Sequence, residues 1–461
     1  MFSISRREFL CGSAASLAAF GAGGLAAGRA QAADFVLPIR PCEHEIRPGI
    51  VTRGMMGFGE TGVPPVLRLK QGQPFIVDVQ NRLEEASVVH WHGLRIANAM
   101  DGVPYLTQDP IEPGKSFRYE LTAPDAGTFW YHPHCNTLEQ MGRGLTGVLI
   151  VEEAEDPGFD LDIPLNLRDF RLGSDGQFIE FYKLRNAARG GTLGTVSTAN
   201  WQEEPVYEAP AGGLVRLRLV VTDVTRVGTF AVTGGEAKVI AVDSNPLASP
   251  LAADSILLAP GQRADVALRM PDGEGQEVQV TLATQKGPRV MARLKAHGQS
   301  LKRSLADLRP LPANPVALPD LASAETIDFV FGWTPDGTAP QPSICGTLGL
   351  NFWSINRVAW QGDTPGPVDP LAVLRKGKSY VLRLRNETQN DHPIHLHGLS
   401  FQLLRSNKRE LPPLVTDTAL LMAQETIEVG LVADNPGNWA FHCHVIEHQK
   451  TGLTGYIAVE A

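Results

Sequence analysis

The chain contains a near-copy of itself, and that repeat limits its fold more than any other feature. Gln71-Gly72-Gln73-Pro74-Phe75-Ile76-Val77-Asp78-Val79-Gln80-Asn81 aligns with Lys376-Gly377-Lys378-Ser379-Tyr380-Val381-Leu382-Arg383-Leu384-Arg385-Asn386, 305 positions later. The same offset of 305 carries His90-Trp91-His92-Gly93-Leu94 onto His395-Leu396-His397-Gly398-Leu399. Gly127 and His132-Pro133-His134 fall on Gly437 and His442-Cys443-His444 at 310, and Gly144-Leu145-Thr146-Gly147 on Gly452-Leu453-Thr454-Gly455 at 308, so only small insertions intervene. Apolar residues alternate along Phe75-Val77-Val79 and Tyr380-Leu382-Leu384, the period of a strand with one buried face. A duplicated unit of roughly 120 residues with this alternation reads as a β-sandwich, not as a solenoid repeat. A fainter echo lies between the copies, where Leu214 to Val221 is strand-like and Pro260-Gly261-Gln262 resembles Pro113-Gly114-Lys115. Three domains are expected, near 34–155, 156–318 and 319–461, with the prolines 310, 312, 315 and 319 marking the linker into the third.

Residues 1–32 read as a targeting segment. Arg6-Arg7 precedes a small, weakly apolar run that ends in Ala30-Gln31-Ala32, an A-x-A cleavage signal. Paired arginines before such a run resemble a bacterial twin-arginine signal, which implies the twin-arginine export machinery as a partner and a periplasmic or otherwise exported product. Removing Arg6, Arg7, Arg29 and Glu8 with that segment moves the formal charge from −9 to −11. An acidic chain without basic clusters is a poor match for nucleic acid, and no later segment has the ~20 apolar residues of a membrane span. Cys42, Cys135, Cys345 and Cys443 remain, and the pairing among the first three is open.

Ten of the 12 histidines fall in four clusters, His90/His92, His132/His134, His392/His395/His397 and His442/His444/His448. His44 and His297 stand apart and are read as ordinary surface or core residues. Strand parity puts His90 with His92, His132 with His134, His395 with His397, and His442 with His444 on shared faces. Cys443 opposes its two neighbours, and His392 has the opposite parity to His395. With His448 they form a separate set of two histidines and a cysteine. Such a set indicates blue copper, because a thiolate donates strongly to Cu(II). Zinc would use four ordinary ligands and leaves the eight other histidines unexplained.

With the motifs HWHG, HPH, HPIHLHG and HCHVIEH in view, the chain resembles the three-domain multicopper oxidases, the group that includes laccases, bilirubin oxidases and bacterial cuprous oxidases. The resemblance spans the whole mature chain and implies an all-β fold of three consecutive cupredoxin-like Greek-key β-sandwich domains. It implies about four copper ions per chain. His392, Cys443 and His448 would hold the type 1 copper, and His90 and His395 the type 2 copper. His92, His132, His134, His397, His442 and His444 would hold the type 3 pair. Domains 1 and 3 then each supply four histidines to one cluster, and the middle domain supplies none. Pro133 stands where the other copy has Cys443, so only one copy can form a type 1 site. Single electrons from a reducing substrate would pass from Cys443 to His442 and His444, and O2 would be reduced to water.

Three positions depart from the family pattern or bear on it. Leu453 stands ten residues after Cys443, where many members have an axial methionine. Leucine cannot coordinate, so the reduction potential should be raised, although a plain core leucine is an equal reading. Asp101 matches an acidic residue near the type 2 copper and would assist proton delivery. Gln449 occupies the place of an acid that several bacterial members carry, and Glu447 has the wrong parity to replace it. The expected substrate is a phenol or aromatic amine. A cuprous oxidase for Cu(I) is the alternative, weakened because the methionines are scattered. A copper-free relative of the fold is a third reading, which the retention of all these ligands opposes.

Overall fold

The computed structural model describes residues 32–461 except 62 and 335–338; the targeting segment expected at 1–32 lies outside them apart from Ala32. The described residues are overwhelmingly strand, arranged as six sheets that fall into three pairs along the chain. Two four-stranded sheets use residues 35–152, a six- and a five-stranded sheet use 161–297, and a second six- and five-stranded pair uses 325–460. Each pair encloses its own apolar core. Val77, Val79, Tyr119 and Leu149 lie in the first, Leu217, Val266 and Val280 in the second, and Leu382, Leu384, Val429 and Ile457 in the third. The alternation read from the sequence therefore marks the buried faces. Among the described residues no helix is long and apolar enough to cross a membrane.

The repeat is visible in the pairing. Pro74–Asn81 runs parallel to Phe35–Arg47 and antiparallel to Ser116–Thr122. Its copy, Ser379–Asn386, runs parallel to Glu325–Trp333 and antiparallel to Thr426–Val432. The histidine strands match residue for residue. His90 is opposite His132, and His395 is opposite His442.

Covalent and ionic ties join the three pairs. Cys135 and Cys345 form a disulfide across 210 residues, which answers the pairing left open by the sequence, and Cys42 stays a buried free thiol. Burial pushes the Cys42 thiol up to about 11, so it is held un-ionised. Arg263, on strand Arg263–Arg269 of the middle pair, is fully buried. Its guanidinium forks onto both carboxylate oxygens of Asp417 in the third pair, at 2.9 and 2.7 Å. It also donates to the Thr128 carbonyl of the first pair at 3.1 Å and lies 3.2 Å from Asp243. One cation thus holds three sheet pairs at a single point. Removing one partner of such a buried set strands the remaining charges. Arg263→Met is expected to destabilise the protein by about 3–5 kcal/mol, read as a lower denaturant midpoint at unchanged slope.

Candidate metal centre

Three donors converge where strand Gly437–Cys443 ends. Cys443 is its last residue, His392 opens the neighbouring strand His392–Leu396, and His448 lies on the short helix Ile446–Lys450. Cys443 Sγ is 3.6 Å from His392 Nδ1 and 3.5 Å from His448 Nδ1, and the two nitrogens are 3.1 Å apart. A point central to that triangle is about 2 Å from each atom, close to a metal–ligand bond. The outer nitrogens are spoken for. His448 Nε2 donates to the Arg189 carbonyl at 2.5 Å, and His392 Nε2 meets Thr388 Oγ1 at 2.9 Å. A donor at Nε2 leaves the Nδ1 lone pair of His448 aimed inward. Burial holds His448 down to about 4 and His392 well below its usual range, so both are neutral at pH 7. Burial also pushes the Cys443 thiol up, so without a metal it stays protonated.

Arg189 belongs to a strap from the middle pair that covers this set. Ala187 accepts from Trp353 Nε1 at 2.9 Å, and Thr192 N–H donates to Glu447 Oε1 at 2.8 Å. Glu447 therefore faces the strap and not the histidine cluster, and burial raises it to about 7. Leu453 is buried and tied by its backbone to both neighbours. Its carbonyl accepts from Cys443 and its N–H donates to the His448 carbonyl, each at 3.0 Å.

The other eight histidines meet between the first and third pairs, all buried. His90 stacks on His397 at 3.8 Å and His92 on His395 at 3.7 Å. The repeat exchanges these two stacks. It also repeats their supports. His90 Nδ1 donates to the Asp101 carbonyl at 2.8 Å and His395 Nδ1 to the Asp417 carbonyl at 2.9 Å. His132 Nδ1 donates to the Pro133 carbonyl at 3.0 Å and His442 Nδ1 to the Cys443 carbonyl at 2.9 Å. Each of these bonds fixes the proton on Nδ1 and turns Nε2 toward the cluster. His442 Nε2 then lies 3.0 Å from His397 Nε2 and 3.4 Å from His134 Nε2.

The Asp101 carboxylate accepts from His397 Nδ1 at 2.9 Å and lies 3.3 Å from His90 Nδ1. Gly102 lets the Asp101 turn close, since a Cβ there would sit 1.9 Å from the Val89 carbonyl oxygen at a φ of +80°. Gly261 brings the middle pair to the cluster in the same way. A Cβ at that residue would approach His444 and His92 at 3.1 Å.

Imidazole nitrogens of His90, His92, His132, His395 and His444 are buried with no hydrogen-bond partner. An unpartnered buried nitrogen costs about 1–3 kcal/mol, and several of them converging is the signature of a site built for metal. Donor groups close enough to share an ion include His90/His92/His132, His90/His395/His397, His134/His397/His442 and His392/Cys443/His448. Burial lowers His92, His132, His134, His397 and His444 well below their usual range, and His442 to about 3, so their lone pairs are free of protons. Soft thiolate with imidazole in one set and imidazole alone in the other suit copper.

The structure also brings in residues that carried no motif. Asp417 Oδ1 lies 3.3 Å from His92 Nε2 and 3.4 Å from His395 Nδ1. Burial pushes the Asp417 carboxyl up, but the Arg263 guanidinium and the hydrogen bonds from His395 and His92 outweigh it and hold the group ionised. Only the Pro260-Gly261-Gln262 echo pointed near Arg263, and nothing in the sequence pointed to Asp417. Gln449 Nε2 lies 3.2 Å from His134 Nε2. A small cavity lined by His134, Gln449, Lys450, Trp360 and Asp363 opens beside them. Cys135 faces its disulfide partner, His297 is exposed against Glu274, and His44 packs against Trp201, all apart from the cluster.

Sequence models described as multicopper oxidase match residues 43–156, 188–282 and 338–461. The crystal structure of a multi-copper oxidase from Pseudomonas thermotolerans superposes with a TM-score of 0.83 at 39% identity, covering 93% of this chain and 100% of that one. The multicopper oxidase MmcO of Mycobacterium tuberculosis is 28% identical over 86% of this chain and 81% of its own length. Laccase-1 of Botryotinia fuckeliana is 26% identical over 87% and 78% respectively. The three paired sheets are cupredoxin-like sandwiches, and the chain, an oxidoreductase, belongs to the multicopper oxidase family.

Proposed function

We propose that this chain is a laccase-like oxidase of phenols and aromatic amines that reduces O2 to water. The observation that carries this reading is the pairing of a buried two-histidine, one-cysteine set with an eight-histidine cluster, joined through Cys443 and its neighbours. His392, Cys443 and His448 would hold a type 1 copper, His90 and His395 a type 2 copper, and His92, His132, His134, His397, His442 and His444 a type 3 pair. Bound there, copper supplies one-electron exchange and the four-electron reduction of O2. Export through the twin-arginine route to the periplasm is part of the same reading, and the Cys135–Cys345 disulfide suits an oxidising compartment.

The chain's own residues give the site its order. Cys443 reaches His442 and His444 through backbone bonds alone. The Asp101 and Asp417 carbonyls fix the protons of His90 and His395 on Nδ1, and the Asp101 carboxylate does the same for His397. That carboxylate would also take up and release a proton at Oδ1, the oxygen that His397 does not occupy. Gln449 reaches His134 but, as an amide, cannot donate a proton as an acid near neutral pH. Water and protons would enter by the cavity that it shares with Asp363. Phenols are favoured over Cu(I) because the methionines form no cluster: Met55, Met141, Met270 and Met291 are buried in cores, and the half-buried Met56, Met100 and Met422 are scattered along the chain.

The copper-loaded protein is expected to be blue with about four copper ions per chain. Cys443→Ser should remove the colour and the oxidase activity while about three ions stay bound, and a blue variant would sink the assignment. O2 uptake with a phenol panel should exceed that with Cu(I), and the reverse order would favour the cuprous oxidase. Leu453→Met should lower the type 1 potential by adding an axial donor; a redox titration that moves upward or not at all removes Leu453 from that position. Asp101→Asn should cut O2 uptake by about tenfold to a hundredfold with the blue band intact, and an unchanged rate would exclude Asp101 from proton transfer.

A further inference from the structure

The Cys443 set has no open edge. His448 and His392 are fully buried, and their outer nitrogens are engaged by the Arg189 carbonyl and Thr388. A reducing molecule therefore touches neither ring. What extends from this set toward solvent is a pair of indoles. Trp353 is buried, with its ring centroid 4.7 Å from that of His448 and 5.1 Å from that of His392. Trp333 lies over it, 4.2 Å away at an interplanar angle of 19°, and is 48% exposed. The two are direct cross-strand partners on Glu325–Trp333 and the edge strand Trp353–Ile355. The Trp353 N–H is fixed on the Ala187 carbonyl of the strap, so its ring is held against both imidazoles.

We propose that Trp333 is the electron-entry site of this chain, where flat aromatic donors stack and pass single electrons through the Trp333–Trp353 pair to the His392, Cys443 and His448 set. The proposal rests on the function given above and adds the donor's docking point and its class. A phenol loses one electron from its π system and its hydroxyl proton to water, and becomes a phenoxyl radical. The type 1 copper assigned to the Cys443 set is the oxidant and is reduced by that electron. The indoles bridge the transfer and end it unchanged. Stacking on an exposed ring needs no pocket. The site therefore accepts phenols whatever they are attached to, including phenols carried on a polymer too large to enter a cleft.

A cross-strand aromatic pair also stabilises a sheet edge, so the test must separate conduction from packing. Trp333→Leu is compared with the parent, and Trp333→Gln serves as a second variant should the leucine aggregate. Copper content, the blue band and the type 1 potential are expected to match the parent, which a merely structural defect would not allow. Anaerobic stopped-flow then follows bleaching of the blue band by a phenol grafted to dextran. A fall in rate of at least tenfold is expected, and any smaller fall overturns the proposal. An independent readout needs no substrate. The reduced protein is oxidised by a flash-generated ruthenium complex free in solution, and return of the blue band should be slowed at least tenfold in the variant. Equal return in variant and parent overturns the proposal. If the parent itself is not blue, the function proposed above fails and the entry site with it. If the parent is blue and the variants bleach at its rate, the entry site alone is wrong.

Discussion

The fork between Arg263 and Asp417 is the contact on which the rest of the molecule depends. Two sandwiches that each carry four histidines form a cluster only if they meet in one register, and histidine contacts alone do not set it. Arg263 helps to set it from outside, alongside the Cys135–Cys345 disulfide that joins the two directly. The strand of Arg263 belongs to the middle sandwich, its guanidinium grips the third, and its Nε–H reaches the Thr128 carbonyl of the first. Asp417, fixed in this way, presents its carbonyl to His395 and its carboxylate edge to His92. The middle domain carries none of the clustered histidines, yet through Arg263 it touches both sandwiches that do.

Burying a guanidinium is costly unless its charge is answered, and here two carboxylates answer it. Burial pushes the Asp243 carboxyl up, to about 7, even with Arg263 beside it, whereas Asp417 is held low. The difference has a physical origin. Asp417 takes both arms of the fork and also faces imidazole N–H groups, while Asp243 takes a longer contact to Arg263. The centre thus keeps a firm negative charge on the carboxylate that supports His92 and His395.

Much of this was legible in the sequence because the repeat and the histidines obey strand geometry. The offset of 305 between the two copies predicted that His90 and His395 occupy matching strand positions, and their partners His132 and His442 are matched in the pairing. Parity predicted that Cys443 would leave the cluster that its neighbours join, and the structure brings it to His392 and His448 instead. What stayed hidden involves contacts between residues far apart in the chain that leave no local pattern. Asp417 sits between two threonines with no histidine near it in sequence. Arg263 follows directly on the Pro260-Gly261-Gln262 echo but is not part of it. Trp333 and Trp353 belong to no motif, and the pairing of Cys135 with Cys345 was one of three possibilities until the first and third sandwiches were docked.

The strap carrying Arg189 has a further physical effect. By covering the Cys443 set it helps to shut the sulfur and the two imidazoles away from bulk solvent. When charge arrives at such a place, the surrounding dipoles are main-chain groups already locked by hydrogen bonds, and they have little freedom to reorient. A solvated site must rearrange its water shell at every electron, whereas a buried one like this would not. Were copper held there, the strap would lower its reorganisation energy, and a small reorganisation energy is what allows an electron to travel quickly over a distance at which no donor and acceptor touch.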